Sequence, residues 1–216
     1  MKLRQAIWGD NNPFRGVEFA DFDVDVQGWR RDHSLLLECA KRAETICDVG
    51  VWKGASIVDM AKANPTAEFL AVDTWRGSAE HWLNPNWRAS DLASLSIQFR
   101  RNMLELGLSD RVTPLPLDSV NAFELCRAKG LSFDLVHIDA GHDFMSCYTD
   151  LSNWSPIAKE VVVDDYCEDF PEVVRAVDQY IENNNIGGQT SMDGKIRFSL
   201  MERRLTEPLL EGADVV

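Results

Sequence analysis

The sequence lacks most of the features that would place it outside the ordinary globular enzymes. No stretch approaches the roughly 20 apolar residues that a membrane-crossing helix needs. The first ten residues carry two early positive charges but no apolar core, so no secretory signal is expected. The five cysteines, Cys39, Cys47, Cys126, Cys147 and Cys167, are scattered and odd in number, and no two have CxxC spacing. Neither a zinc knuckle nor a disulfide framework is indicated, and a reducing cytoplasm is the simplest home. Basic residues are scarce: 22 Lys and Arg stand against 35 Asp and Glu, for a net charge of −13. Binding to a phosphate backbone needs the opposite balance, so neither a nucleic-acid nor a membrane partner is expected. There is no internal repeat, no low-complexity segment, no GxGxxG and no phosphate loop of the GxxxxGK[ST] kind.

What remains is 216 residues, 45% of them hydrophobic, which is enough for one good core and short for two. The first 25 residues read as irregular, broken by Asn11, Asn12, Pro13 and Gly16. Helical spacing appears from Trp29 to Arg42. Five short apolar runs follow, at Thr45–Val49, Glu68–Val72, Val112–Leu117, Phe133–Ile138 and Glu160–Val163. Helical patterns separate them at Gly54–Ala63, Asp91–Leu106, Val120–Ala128 and Phe144–Trp154, and another follows at Pro171–Asn183. Strands alternating with helices predict a doubly wound, Rossmann-like α/β fold with a parallel sheet covered on both faces. The end departs from that rule. Gln189–Met192 and Lys195–Met201 are strand-like runs joined by Asp193-Gly194, a strong hairpin signal, so the sheet should finish antiparallel. The expected organisation is an irregular segment over residues 1–30, one domain over 31–204 and a tail over 205–216. The apolar-studded N-terminal segment, lacking a partner helix, suggests a homo-oligomer.

Each parallel strand ends in an acidic residue: Asp48, Asp73, Asp118, Asp139, then the pair Asp164 and Asp165. Ligands of open α/β sheets bind outside these carboxyl ends. Helix capping is the competing explanation for any single one of them. Between the first strand and its helix lies Asp48-Val-Gly50-Val-Trp-Lys-Gly54-Ala-Ser56. Gly50 would allow a tight turn and close approach of a ligand, and Gly54 would let the helix start near the strand. The free N–H groups of that helix suit a small anion such as an amino-acid carboxylate. Asp73, at the end of the second strand, is placed to accept both hydroxyls of a ribose.

Taken in order, Asp48-Val-Gly50 with Gly54-Ala-Ser56, Ala71-Val-Asp73-Thr74-Trp75, Leu117-Asp118-Ser119 and Asp134-Leu-Val-His-Ile-Asp139 resemble the class I S-adenosylmethionine-dependent methyltransferases. The resemblance covers about residues 30 to 202 and extends to the closing hairpin. It implies that Gly50 and its neighbours, with Gly54 and Ser56, hold the methionine part of the cofactor. By the same resemblance Asp48 approaches the ammonium, where many relatives carry Glu. Asp73, Thr74 and Trp75 would lie at the ribose, and Asp118 and Ser119 would flank the adenine.

Strands four and five bring Asp139, Asp164 and Asp165 near one another. Three carboxylates repel unless protonated or neutralised, and oxygen ligands suit Mg²⁺ or another hard divalent cation. No Lys or Arg lies in either motif, the nearest being Lys159 at the far end of the fifth strand. Asp139 and His142, followed by Asp164 and Asp165, resemble the macrocin O-methyltransferase family and, more distantly, catechol O-methyltransferase. That resemblance implies three aspartate ligands, a small-molecule hydroxyl acceptor of sugar or phenolic type, and His142 as general base beside Asp139. An imidazole titrating near ~6.5 suits such work. His137 is expected to be packing. The segment from Trp75 to Trp87, with Trp82 between, reads either as a pocket wall or as an aromatic patch under the next helix. Two other functions stay open: an inactive methyltransferase-like binding module, and a nicotinamide-dependent oxidoreductase.

Overall fold

The computed structural model describes residues 2–17, 24–26, 33–83 and 89–200. The five apolar runs form parallel strands β1 (Thr45–Val49), β2 (Glu68–Val72), β3 (Val112–Leu115), β4 (Phe133–Ile138) and β5 (Ala158–Val163). The terminal pair, β6 (Thr190–Met192) and β7 (Lys195–Ser199), closes the seven-stranded sheet in the order β3-β2-β1-β4-β5-β7-β6. β7 runs antiparallel to both β5 and β6. The expected fold class, mostly parallel with an antiparallel end, is therefore borne out. Asp193 and Gly194 both have positive φ, 54° and 75°, as a two-residue turn matched to strand twist demands.

Side chains alternate along each strand and sort into two cores. Cys47, Val49, Leu70, Val136, Ile138, Val161 and Val163 face one layer. That layer contains α6 (Ser119–Ala128), α7 (Phe144–Trp154) and α8 (Pro171–Asn184). Ile46, Phe69, Ala71, Leu135 and Val162 face the other, with α2 (Ser34–Ala40), α3 (Ala55–Ala63) and α5 (Ala89–Glu105). The alternation also sets the phase of the polar residues. Asp48 pairs with His137 in register, and both lie on the second face, in line with Val162. The strand order reverses between β1 and β4, and the crevice expected of such sheets opens at their carboxyl ends.

Two expectations need correction. The N-terminal segment is not irregular throughout: Leu3–Trp8 forms α1. This helix places Leu3, Ala6 and Ile7 on one face and is held to the edge strand by hydrogen bonds. The Arg4 guanidinium donates to the carbonyls of Ser109 and Val112, and Trp8 Nε1 donates to the Pro114 carbonyl at 2.8 Å. It covers β3, the edge where Pro114 is tolerated. Leu3, Ala6 and Phe14 are buried within this same chain. The other correction is to lengths. β3 stops at Leu115, two residues early, and β7 at Ser199. Residues 18–23, 27–32 and 201–216 lie outside the described residues, and with them the start of the Trp29–Arg42 run, the end of the last strand-like run and the tail. No described helix is long and apolar enough to cross a membrane.

One buried carboxylate lies in the helical layer. Asp150 of α7 is 2% exposed. Burial pushes its carboxyl up to about 6, opposed by a hydrogen bond from the Ser119 hydroxyl and assisted by the charges of Asp118 and Asp143. A carboxyl raised in the folded state stabilises the fold fully below its ordinary value near 3.8 and progressively less as pH climbs to about 6. Asp150→Asn cannot ionise and should escape that loss. Relative to the parent it should gain about 2 kcal/mol between pH 4.5 and 7.5, read by urea denaturation. A difference that stays flat across that range would show that Asp150 is not held protonated.

Candidate active site

Gly50 follows β1 with φ 95°, and a Cβ there would lie 1.9 Å from the Asp139 carbonyl oxygen. The place of a side chain there is taken by the main chain leaving β4. Gly54, φ 94°, faces α5, where a Cβ would meet Met103 at 2.7 Å and Phe99 at 3.1 Å. It caps α3 with no side-chain partner, leaving the N–H groups of that helix toward the loop.

The loop is clamped by Asp73. Its Oδ2 accepts the Trp52 N–H at 2.7 Å and its Oδ1 the Trp75 N–H at 2.6 Å. Trp75 Nε1 donates back to the Trp52 carbonyl at 2.8 Å. Both tryptophans have left-handed backbone, φ 52° and 50°, which is uncommon for a bulky residue and concentrates at functional sites. Trp75 stacks on Phe99 and is buried, so it belongs to the core behind the loop and not to a pocket wall. Each Asp73 oxygen keeps a second lone pair that a ribose hydroxyl could use. Burial is the largest influence on this carboxyl and, with the Asp48 charge, raises it against the N–H groups of Trp52, Trp75 and Val51. Thr74 is exposed, its hydroxyl accepting from the Arg76 N–H. Trp82 and Leu83 stand out of the short helix α4 (Ala79–Leu83), which is fastened by stacking of His81 on Trp52 at 4.6 Å. Trp87 lies outside the described residues. At the end of β3, Asp118 caps α6, accepting the Asn121 N–H at 3.0 Å and the Asn121 side-chain amide at 2.6 Å. These bonds lower its carboxyl below the usual range, so capping alone accounts for Asp118; Ser119 is the first residue of that helix.

Beneath the crevice runs a row of buried charges. Asp48 is fully buried, with Oδ2 accepting the Ser56 hydroxyl at 2.6 Å and Oδ1 facing His137 Nδ1 at 2.7 Å. His137 is thus more than packing. Burial would lower its pKa, but the Asp48 charge, with Asp164 beyond, outweighs that and pushes it up to about 10. Its Nε2 has no hydrogen-bond partner and lies 3.7 Å from Asp164, too far for a hydrogen bond, so Asp164 acts on it through charge. Lys195, fully buried, bonds both Asp164 oxygens at 2.8 Å. Burial would raise Asp164, yet His137 and Lys195 together hold it well below the usual carboxylate range. The sequence reasoning missed Trp52, His137 and Lys195. For His137 a signal existed: adjacent β1 and β4 put it opposite Asp48. Lys195 is 31 residues from Asp164 and carries no local signal.

Asp139, His142 and Asp165 form the open part of the site. His142 Nε2 is 2.9 Å from Asp165 Oδ2 and 3.9 Å from Asp139 Oδ1. Ligand atoms of these three lie within 4.8 Å of one another, and a second set of the same tightness joins His137, Asp139 and Asp164. The three aspartates alone do not make such a set among the described residues. Asp165 sits at φ 59°, a conformation Asp tolerates, which aims its carboxylate at His142. Asp139 does not cap the next helix; Asp143 does, accepting the Ser146 N–H at 3.0 Å. Burial and the neighbouring aspartate charges raise the Asp139 carboxyl. Two hard oxygen donors with an imidazole beside them fit a hard divalent cation.

A family model described as a methyltransferase domain matches residues 47–166. A comparison with proteins of curated function finds no match. Among solved structures, cofactor-bound Rv0187 from MTB has a TM-score of 0.57 at 18% identity, covering 92% of this chain and 94% of that one. The O-methyltransferase from Bacillus cereus in complex with SAH has 0.55 at 16% identity, covering 82% and 84%. The O-methyltransferase TomG from Streptomyces achromogenes, involved in tomaymycin synthesis and solved with SAM, has 0.55 at 18% identity, covering 82% of each chain. At these identities the likeness is one of fold.

The 1.9 Å approach at Gly50 makes the loop intolerant of any side chain. Gly50→Ala should lose about 3 kcal/mol or more, from the left-handed backbone and the clash with the main chain after β4 together. Chemical denaturation measures it. A loss below about 1 kcal/mol would mean that β1 and β4 can part at no great cost.

Proposed function

Because this chain belongs to the methyltransferase-domain family, with residues 47–166 matched, we propose that it moves a methyl group from S-adenosylmethionine to a hydroxyl of a small sugar-like or phenolic molecule. The observation that carries the proposal is the contact of Gly50 with the Asp139 main chain. It joins the loop proposed for the cofactor to the cluster proposed for the acceptor, so donor and acceptor would meet across one glycine. S-adenosylmethionine supplies the methyl group, which leaves a positively charged sulfur.

In this reading the α3 N-terminus receives the carboxylate of the methionine part, and Asp73 the ribose. Asp118 and Ser119 lie on the adenine side. Mg²⁺ or a similar ion is proposed at Asp139 and Asp165, with Asp164 behind them. Bound there, it would orient the acceptor hydroxyl and make it more acidic. His142 would take the hydroxyl proton. With Nε2–H donated to Asp165, the basic atom of the neutral ring is Nδ1, and Asp165 stabilises the imidazolium that results. Holding oxygen, methyl carbon and sulfur in line is the remaining contribution of the protein. All five cysteines are unpaired, which agrees with the cytoplasm as the proposed compartment.

Labelled S-adenosylmethionine, the protein and a metabolite extract give the direct test. Label should enter a small molecule, stop in EDTA and resume with added Mg²⁺. His142→Ala should keep cofactor affinity, measured by calorimetry, and slow transfer by ~10²–10⁴. Full transfer in EDTA, with metal analysis showing none bound, would remove the cation from the proposal. Calorimetric binding of a nicotinamide cofactor in place of S-adenosylmethionine would overturn the whole of it.

A further inference from the structure

The terminal hairpin brings a buried ammonium into an acidic site. Lys195 is the first residue of β7, directly after the Asp193-Gly194 turn. The Gly194 carbonyl accepts the Tyr166 N–H at 2.8 Å, which ties that turn to the chain just beyond Asp165. From there Lys195 Nζ reaches both oxygens of Asp164 at 2.8 Å. Asp164 Oδ1 also accepts the Asp165 N–H at 2.8 Å, and Oδ2 faces His137 Nε2 at 3.7 Å. Its hydrogen-bonding partners are therefore an ammonium and an N–H, with an imidazole just beyond and the Asp139 carboxylate within 4.8 Å. A wholly buried ammonium needs a counter-ion in place, and Asp164 is that counter-ion.

We propose that Lys195 is a positioning residue that takes Asp164 out of the ligand set, so that a divalent cation is held by the Asp139 and Asp165 carboxylates alone. This deepens the metal reading given above and rests on it. Charge supports it. Asp164 and Lys195 cancel each other, leaving the two negative charges of Asp139 and Asp165 for one divalent ion. A three-carboxylate site without Lys195 would keep one charge uncompensated. Geometry supports it too. Asp139, His142 and Asp165 form the partly open cluster, whereas the equally tight cluster of His137, Asp139 and Asp164 is more buried, and an ion there would share the Asp164 oxygens with an ammonium 2.8 Å away. Two cations that close, with no water between them, repel strongly.

Titration with Mn²⁺, followed by the electron paramagnetic resonance of the free ion, reads the ligand set without turnover. Asp164→Asn should bind Mn²⁺ within about threefold of the parent, while Asp165→Asn, which keeps a residue tolerant of the left-handed backbone, should weaken it by about 30-fold or more. Lys195→Gln, which keeps an amide donor toward Asp164, should bind Mn²⁺ about tenfold more tightly, because Asp164 is released to the ion. A role confined to folding would not tighten metal binding. Should Lys195→Gln fail to fold, the double variant Asp164→Leu with Lys195→Met removes both buried charges and should match the parent within about threefold. Loss of Mn²⁺ binding in Asp164→Asn or in the double variant overturns the inference, as does unchanged affinity in a folded Lys195→Gln. A parent that binds no Mn²⁺ removes the metal from the proposed function. The inference then holds only if Lys195→Gln gains a site that the parent lacks.

Discussion

The site depends on how closely β1 and β4 approach at their carboxyl ends. Gly50 has no side chain because the Asp139 carbonyl fills that position. The Asp139 N–H in turn donates to the Val49 carbonyl at 2.8 Å, extending the β1–β4 pairing one residue past the strands. The sheet reverses its order here, so the crevice is narrowest where its two walls are built from adjacent turns. One wall is the loop from Gly50 to Gly54. The other is Asp139 to His142. Their relative position is fixed by main-chain contact, which is stiffer than any side-chain bridge, and in-line transfer between two bound molecules calls for that stiffness.

Below this crevice the charges alternate in sign: Asp48, His137, Asp164, Lys195. No two like charges are neighbours along the row. It spans β1, β4, β5 and β7 on one face of the sheet, so four strands are cross-linked under the site. Buried ion pairs often contribute little net stability against apolar substitutes of similar volume, because desolvation offsets attraction. Their value here is orientation: Asp48 receives Ser56 of α3 on one side and His137 on the other, so helix and strand cannot shift independently. The antiparallel hairpin also acquires a purpose beyond closing the edge, since the first residue of its second strand, Lys195, supplies the last charge of the row.

Much of this was legible in the sequence. The alternation of strands and helices gave the parallel sheet, and Asp193-Gly194 gave the hairpin, because periodicity and turn chemistry are local properties. The acidic strand ends were legible for the same reason. What was not legible had non-local causes. The α1 helix is short and held by Arg4 and Trp8 on carbonyls about 105 residues away, which no window reveals. The main chain that excludes a side chain at Gly50 arrives 89 residues later and has no local signal. Lys195 was overlooked when the acidic cluster was judged to lack a cation, because it reaches Asp164 only through the pairing of β7 with β5.

Local rules fail most plainly around the crevice. Of the described non-glycine residues with left-handed backbone, Asn185 and Asp193 sit in a helix cap and a hairpin turn, where Asn and Asp are at ease. The other three are Trp52, Trp75 and Asp165, and all three border the candidate site. Each tryptophan costs about 1–2 kcal/mol in that conformation. Two short hydrogen bonds from their N–H groups to one carboxylate, that of Asp73, offset the cost. Asp73 therefore holds the loop in shape before any ligand arrives. A chain that lost it would lose the form of the loop, which explains why acid, glycine and strained aromatic occur together at these two strand ends.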